Sequence, residues 1–170
     1  MDVKEPVSVL FVCLGNICRS PLAEGLFLHH AEKAGTSAHF RVDSAGTSSE
    51  HRGELPDPRT RANAARHGLN LTSRSRQVKV DDFGSFDWIL AMDRLNRQDL
   101  LHIRPADFKA RMHLLLGPEL LTAPEEQEVP DPWYGGPEGF ERVFQLLHGA
   151  TERLYDFLCK HHGLYQEARS

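Results

Sequence analysis

A chain of 170 residues is long enough to bury one substantial core and suits a single domain over 1–170, with its core at about 7–162. Its 20 Lys and Arg against 24 Asp and Glu include no basic block, which argues against nucleic acid as a partner. No apolar run approaches membrane-spanning length and no leader-like segment opens the chain, so the expectation is a cytoplasmic monomer with no membrane partner. Three cysteines, Cys13, Cys18 and Cys159, do not make a disulfide framework.

Val9 to Val12 is an apolar, β-branched and aromatic run that reads as a buried strand ending at Cys13. Ser20-Pro21 opens a helix that continues to Ala34 and stops at Gly35. His39 to Ala45 alternates as a second strand ending at Gly46, completing a βαβ unit with parallel pairing. The long polar loop from Thr47 to Pro58 lies at the carboxyl end of that strand, where α/β proteins bind ligands. Asp57-Pro58 begins a helix to about His67, closed by Gly68. Phe86 to Met92 is a third strand, Asp93 caps a helix from Arg94 to about His102, and Arg111 to Gly117 is a fourth strand. Pro118 to Pro130 is acidic and loop-like. From Pro137 or Glu138 onward, apolar residues from Phe140 to Leu158 recur every three or four positions and mark one long amphipathic helix, in which Cys159 fills core. The fold class that follows is α/β: three layers, with a four-stranded parallel twisted sheet flanked by helices.

The loop between the first strand and its helix carries the chemistry. Unpaired N–H groups at a helix start, with the partial positive charge of the dipole, attract an oxyanion. Five residues separate Cys13 from Arg19, enough for the loop to curl so that N–H groups, guanidinium and sulfur face one phosphate. The same field favours a thiolate nucleophile. Arg19 offers planar, bidentate donors, Gly15 and Asn16 tolerate a left-handed backbone, and Ser20 is placed to donate to the sulfur. A strand-end cysteine is also a common packing residue, and the spacing alone leaves both readings open. Near the last helix, Asp131 sits between Pro130 and Pro132 with Trp133 and Tyr134 beside it. A rigidly held carboxyl with aromatic neighbours suits a general acid, although Pro-Asp-Pro is equally a turn device and the two aromatics could simply anchor the helix.

Cys13, Gly15, Asn16, Cys18, Arg19, Ser20 and Pro21 together meet the pattern Cys-x-Gly-Asn-x-Cys-Arg-Ser-Pro, which resembles the signature of the low-molecular-weight protein tyrosine phosphatases. Similar strings stand at Asp43 to Thr47, Pro56 to Arg59, His67 to Leu69, Arg76 to Val78 and Phe86 to Asp93, so the likeness spans nearly the whole chain. The resemblance implies a hydrolase of protein phosphotyrosine that needs no cofactor and forms a thiophosphoryl-cysteine intermediate. Cys13 would be the nucleophile, Arg19 the stabiliser of the phosphoryl oxygens and Asp131 the general acid. Leu14, Gly15, Asn16, Ile17, Cys18 and Ser20 would cradle the substrate phosphate, with Trp133 and Tyr134 stacking on the substrate ring. It also implies that Ser44 bonds to Asn16 to hold its backbone and that Cys18 closes a reversible disulfide on oxidised Cys13. Read from the residues alone, Ser44 is a strand-end polar group and Cys18 packs beneath the loop. The chain departs from the family at Ser73, where a histidine would brace Asn16, and at Glu50, near which bacterial members often carry Trp.

Arsenate reductases of this fold relay electrons through a cysteine pair far beyond the loop, and this chain has no Cys between 19 and 158. Protein-arginine phosphatases resemble the loop but carry Thr where Ile17 stands. A noncatalytic phosphate-binding module is the alternative of a different class, and it would have no use for Asp131. The basic patch Arg74 to Arg76 is either a contact for acidic substrate flanks or solvated surface. Among ten histidines, His29-His30 and His161-His162 are adjacent pairs, whereas ligands on one helix face need spacings of three or four, so no metal site is expected.

Overall fold

The computed structural model describes residues 5–120 and 124–164. Strand β1 (Val7–Cys13) is buried along its whole length. It pairs in parallel with β2 (Phe40–Gly46) on one side and β3 (Trp88–Ala91) on the other, and β4 (Arg111–Leu114) joins beyond β3, giving the order β2-β1-β3-β4. A strand buried on both faces must be apolar at odd and even positions alike. Val7, Val9, Phe11 and Cys13 face a core shared with the helices α1 (Arg19–Lys33) and α5 (Pro137–His161), whereas Leu10 and Val12 face a second core with Phe83, Phe86 and Leu100. The chain leaves β1 toward one edge and later returns to build the other edge. The resulting crevice lies at the carboxyl ends of β1 and β3, where open α/β sheets bind ligands.

Helix α1 begins at Arg19, two residues before Pro21, and so brings the arginine into its first turn. Pro21 fits there because the first N–H groups of a helix have no intrahelical acceptor. Helix α2 (Pro58–Arg66) is capped by Asp57, whose carboxylate accepts from Arg59 N, and α4 (Arg94–Ile103) by Asp93, which accepts from Asn96 N. Strands β3 and β4 are shorter than their apolar runs. Phe86 is spent on the core below the sheet, and the Asp87 carboxylate accepts from the Ser8 N–H at 2.9 Å and the Ser8 hydroxyl at 3.0 Å. The one-turn helix α3 (Asp82–Ser85) is too short to leave a periodic signal. The paired histidines at the C-terminal end have structural partners: Trp88 Nε1 donates to His162 Nε2 at 3.0 Å, and His161 Nε2 lies 2.8 Å from Arg111. Cys159 is buried core, as its place in the helix suggests. Among the described residues, no helix is long and apolar enough to cross a membrane.

Where α1 crosses β2, the structure corrects one expectation. The Ser44 hydroxyl donates to Glu24 Oε1 at 2.7 Å instead of bracing Asn16. Burial pushes the Glu24 carboxyl up to about 7; the Ser44 and Ser73 hydroxyls and Arg76 oppose the rise, and Asp43 adds to it. Ser73, standing where the family carries histidine, thus serves Glu24 without supplying a cation. Arg76, at the end of the basic patch, is turned inward onto Asp43 and Asp82, each at 3.0 Å, and Arg74 donates to the Gly53 carbonyl.

A carboxyl that holds its proton more tightly when folded makes the native state bind more protons, so stability falls as pH rises from 4.5 toward 7. Glu24→Gln is expected to remove that slope and to raise stability at pH 8 by about 3 kcal/mol, with little effect at pH 4.5. Urea unfolding at the two pH values measures it, and equal slopes in the two proteins would show that Glu24 titrates normally.

Candidate active site

Cys13 ends β1, and of the five carbonyls from Cys13 to Ile17 that open the loop, four are tied outward. Thr47 N donates to Cys13 O, Ser48 N to Leu14 O, the Ser75 hydroxyl to Gly15 O and Asp57 N to Ile17 O, at 2.8 to 3.0 Å. In a trans peptide the C=O and the next N–H point in opposite directions. Anchoring those carbonyls outside therefore turns the N–H groups of Leu14, Gly15, Asn16 and Cys18 toward the interior of the loop, an anion-binding nest. The Asn16 N–H points at Cys13 Sγ from 3.3 Å. Asn16 takes the curl with φ of 56°, the positive-φ non-glycine residue among those described. Its side chain stabilises that backbone: Oδ1 accepts from Arg76 N at 3.1 Å, and Nδ2 donates to the Ser20 hydroxyl at 2.7 Å. Ser20 Oγ lies 3.0 Å from the sulfur and 3.5 Å from Ala45 O, and with its oxygen already accepting from Asn16 its proton has the sulfur as the nearer acceptor.

Gly46 closes the back of the loop. A Cβ there would meet Leu14 O at 2.7 Å and Asn16 N at 3.1 Å, so the strand beside the loop can pass only as glycine.

Arg19 is anchored from below. Its Nη1 donates to Asp93 Oδ2 at 2.6 Å and to Val129 O at 3.0 Å, while Nη2 lies 3.6 Å from Asp131 Oδ2. Burial works against the guanidinium charge, but Cys13, Asp93 and Asp131 more than offset it, and its pKa rises. Asp93 thus does two tasks with two oxygens, capping α4 and orienting Arg19; only the first is visible in the sequence. Asp131 caps the turn Pro132–Tyr134, accepting from Trp133 N at 3.0 Å. Its side chain is 37% exposed, so the carboxyl is partly withdrawn from solvent.

Cys13, Arg19 and Asp131 line one cleft of about 240 Å³, together with Leu14, Gly15, Ile17, Cys18 and Trp133. The long loop after β2 supplies a wall through Ser48, Glu50 and His51. His51 is a lining residue that sequence reasoning missed: its ring packs against Trp133 with centroids 5.6 Å apart, and Glu54 Oε2 accepts from its Nδ1 at 2.7 Å. Arg59 is another. It forks onto Asp57 with Nε and Nη2 at 3.0 and 2.9 Å, donates to Trp133 O at 3.2 Å, and lies over the rings of Trp133 and Phe140. The side chain of Tyr134 lies outside what the structure describes. Cys18 is buried against Ile17 and Phe140, and burial pushes its thiol up to about 12, with Thr60 opposing the rise. At neutral pH it is a protonated thiol, a slow attacker in disulfide exchange.

A family model described as low molecular weight phosphotyrosine protein phosphatase matches residues 8–164. A Saccharomyces cerevisiae protein of that description is 39% identical over 149 residues, covering 86% of this chain and 92% of its own. The crystal structure of a protein tyrosine phosphatase from Entamoeba histolytica superposes with a TM-score of 0.83 at 38% identity, over 94% of this chain and 99% of its own. The structure of a Drosophila arginine phosphatase reaches 0.79 at 31% identity, over 91% of this chain and 98% of its own. The sulfur, guanidinium and carboxyl converging on one nest at the end of β1, together with these likenesses along nearly the full chain, lead to one conclusion: the chain belongs to the low molecular weight phosphotyrosine protein phosphatase family.

Proposed function

We propose that the protein hydrolyses phosphotyrosine in protein substrates, in the reducing setting that three free cysteines suit. The observation that carries this reading is that Cys13 Sγ, Arg19 and the Asp131 carboxyl line the same cleft. In the first step the Cys13 sulfur attacks phosphorus: an S–P bond forms, the ester P–O bond breaks, and Asp131 gives its proton to the departing phenolate. The inward N–H groups and Arg19 stabilise the equatorial oxygens. In the second step the Asp131 carboxylate takes a proton from water, the water oxygen bonds to phosphorus, the P–S bond breaks, and inorganic phosphate leaves. Ser20 and the Asn16 N–H then donate to the regenerated thiolate.

Burial of the sulfur supports tyrosine, because Cys13 is only 2% exposed and a long aryl ester reaches it where a short seryl ester does not. Leu14 and Trp133, both large and exposed, stand at the mouth to pack on the ring. Phosphoarginine is the second reading, favoured by the Drosophila likeness; Ile17, a cleft-lining hydrocarbon, offers no hydroxyl to a guanidinium.

Cys13→Ser is expected to reduce aryl phosphate turnover to background, and retention of normal turnover would refute the nucleophile. Asp131→Asn should cost about 10²- to 10⁴-fold with phenyl phosphate and much less with p-nitrophenyl phosphate, whose leaving group needs little protonation. Equal losses on the two esters would remove Asp131 from the acid role. With peptides, phosphotyrosine should be turned over in preference to phosphoarginine and phosphoserine.

Arg59 joins the cap of α2, the Trp133 carbonyl and the ring of Phe140, and this supports a positioning role for it under the acid loop. Arg59→Met should therefore lower kcat with phenyl phosphate by about 10- to 100-fold and leave p-nitrophenyl phosphate turnover nearly unchanged. Steady-state kinetics on both esters tests this, and a uniform loss would mean that Arg59 only supports the fold.

A further inference from the structure

Away from the cleft, α1 and α5 pack side by side and bring together three side chains that the chemistry above does not use. His30 stands on α1, about 16 Å along the helix from Arg19, and His148 on α5, about 16 Å from Pro137. Glu152 follows His148 by one turn on the same face. One ligand atom from each of His30, His148 and Glu152 lies within 4.8 Å of the others. The two imidazole rings meet at 5.0 Å between centroids with an interplanar angle of 81°. His30 is held by Thr151, whose Oγ lies 3.0 Å from Nε2 while its hydroxyl donates to Leu147 O at 2.7 Å.

We propose that His30, His148 and Glu152 form a binding site for a divalent transition ion of the zinc class, fastening α1 to α5. Two imidazole nitrogens and one carboxylate oxygen are a borderline donor set, suited to Zn²⁺ or Co²⁺ in preference to Mg²⁺ or Ca²⁺. A tetrahedral ion with bonds of about 2.0–2.1 Å sets its ligand atoms about 3.3 Å apart. His30 is buried and fixed, but His148 is half-buried and Glu152 exposed, so the outer two have the torsional freedom to close the remaining distance. Water takes the fourth position. The Thr151 contact orients the buried ring, as outer partners do for metal-binding histidines. The ion would tie the helix that begins at Arg19 to the helix that follows the Asp131 turn, stabilising the scaffold without entering the reaction.

The test titrates Co²⁺ and Zn²⁺ into the full chain, following visible absorption, heat of binding and Tm, and repeats it in a Cys13→Ser background to remove the reactive thiol. Expected are one ion per chain, a Co²⁺ spectrum without thiolate charge-transfer bands, and a rise in Tm of about 5–10 °C at 100-fold excess over Kd. His148→Gln and Glu152→Gln, both at accessible positions, should each weaken binding at least about 10-fold and leave turnover in EDTA unchanged. Absence of stoichiometric binding, thiolate bands that vanish with Cys13→Ser, or an affinity untouched by either α5 substitution would overturn the proposal.

Discussion

The outward tethering of the loop carbonyls is the constraint on which the rest of the site depends. A short peptide loop has no intrinsic reason to point successive N–H groups the same way. Here four carbonyls are drawn out by donors from three separate segments: Thr47 and Ser48 after β2, Asp57 at the start of α2, and Ser75 before the bridge to Gly46. Each hydrogen bond is worth only about 1 kcal/mol net. Their collective effect is geometric, because reversing any one peptide would bury an unpaired carbonyl inside and an unpaired N–H outside. The strain at Asn16 is borne in the same way, with both ends of its carboxamide occupied.

The charges follow from that frame. A buried arginine is costly unless compensated, and Arg19 is compensated from one side by Asp93 and Val129 O. These contacts occupy Nη1 and leave Nη2 directed toward the side where Asp131 stands. The guanidinium is therefore aimed as well as neutralised. Asp93 can do this because it follows β3 by two residues and β3 lies next to β1, so the parallel pairing of those two strands sets the arginine's anchor beside the sulfur's strand.

Much of this was legible in the sequence, for identifiable reasons. β1 and α5 announce themselves because their burial is extensive and their patterns long, and the phosphate loop because its residue types are jointly unusual. Contacts that depend on two segments meeting were harder to read. Ser44 was expected on Asn16 by likeness, yet β2 presents it to Glu24 on α1. His51 carries no motif of its own and packs against Trp133 across the cleft, and Arg59, although it ends the family-like string Pro56 to Arg59, reaches the acid loop only through the Trp133 carbonyl; in both cases the partner lies seventy or more residues away. The histidines pose the same difficulty: within the chain they form adjacent pairs, whereas the grouping of His30 with His148 and Glu152 exists only across the α1–α5 seam. The ends of β3 and β4 were misjudged because hydrophobicity reports burial, and Phe86 and Leu115 are buried without belonging to a strand.

The two halves of the cleft are held by different physics, and this bears on how they can change. The sulfur and arginine sit among saturated hydrogen bonds in a buried frame, where any substitution leaves a polar group unpaired. The Asp131 side is exposed and rests on rim contacts: the turn N–H of Trp133, the ring of His51 and the fork of Arg59. Exposed contacts of this kind tolerate rearrangement at small cost. Phosphate capture is thus the rigid element, whereas the placement of the acid and the shape of the mouth, with Glu50 and His51 on one wall and Trp133 on the other, can vary without dismantling the nest. A fold arranged this way can keep one phosphoryl-transfer core and alter which esters reach it, because the residues that meet the leaving group are not the residues that hold the loop in shape.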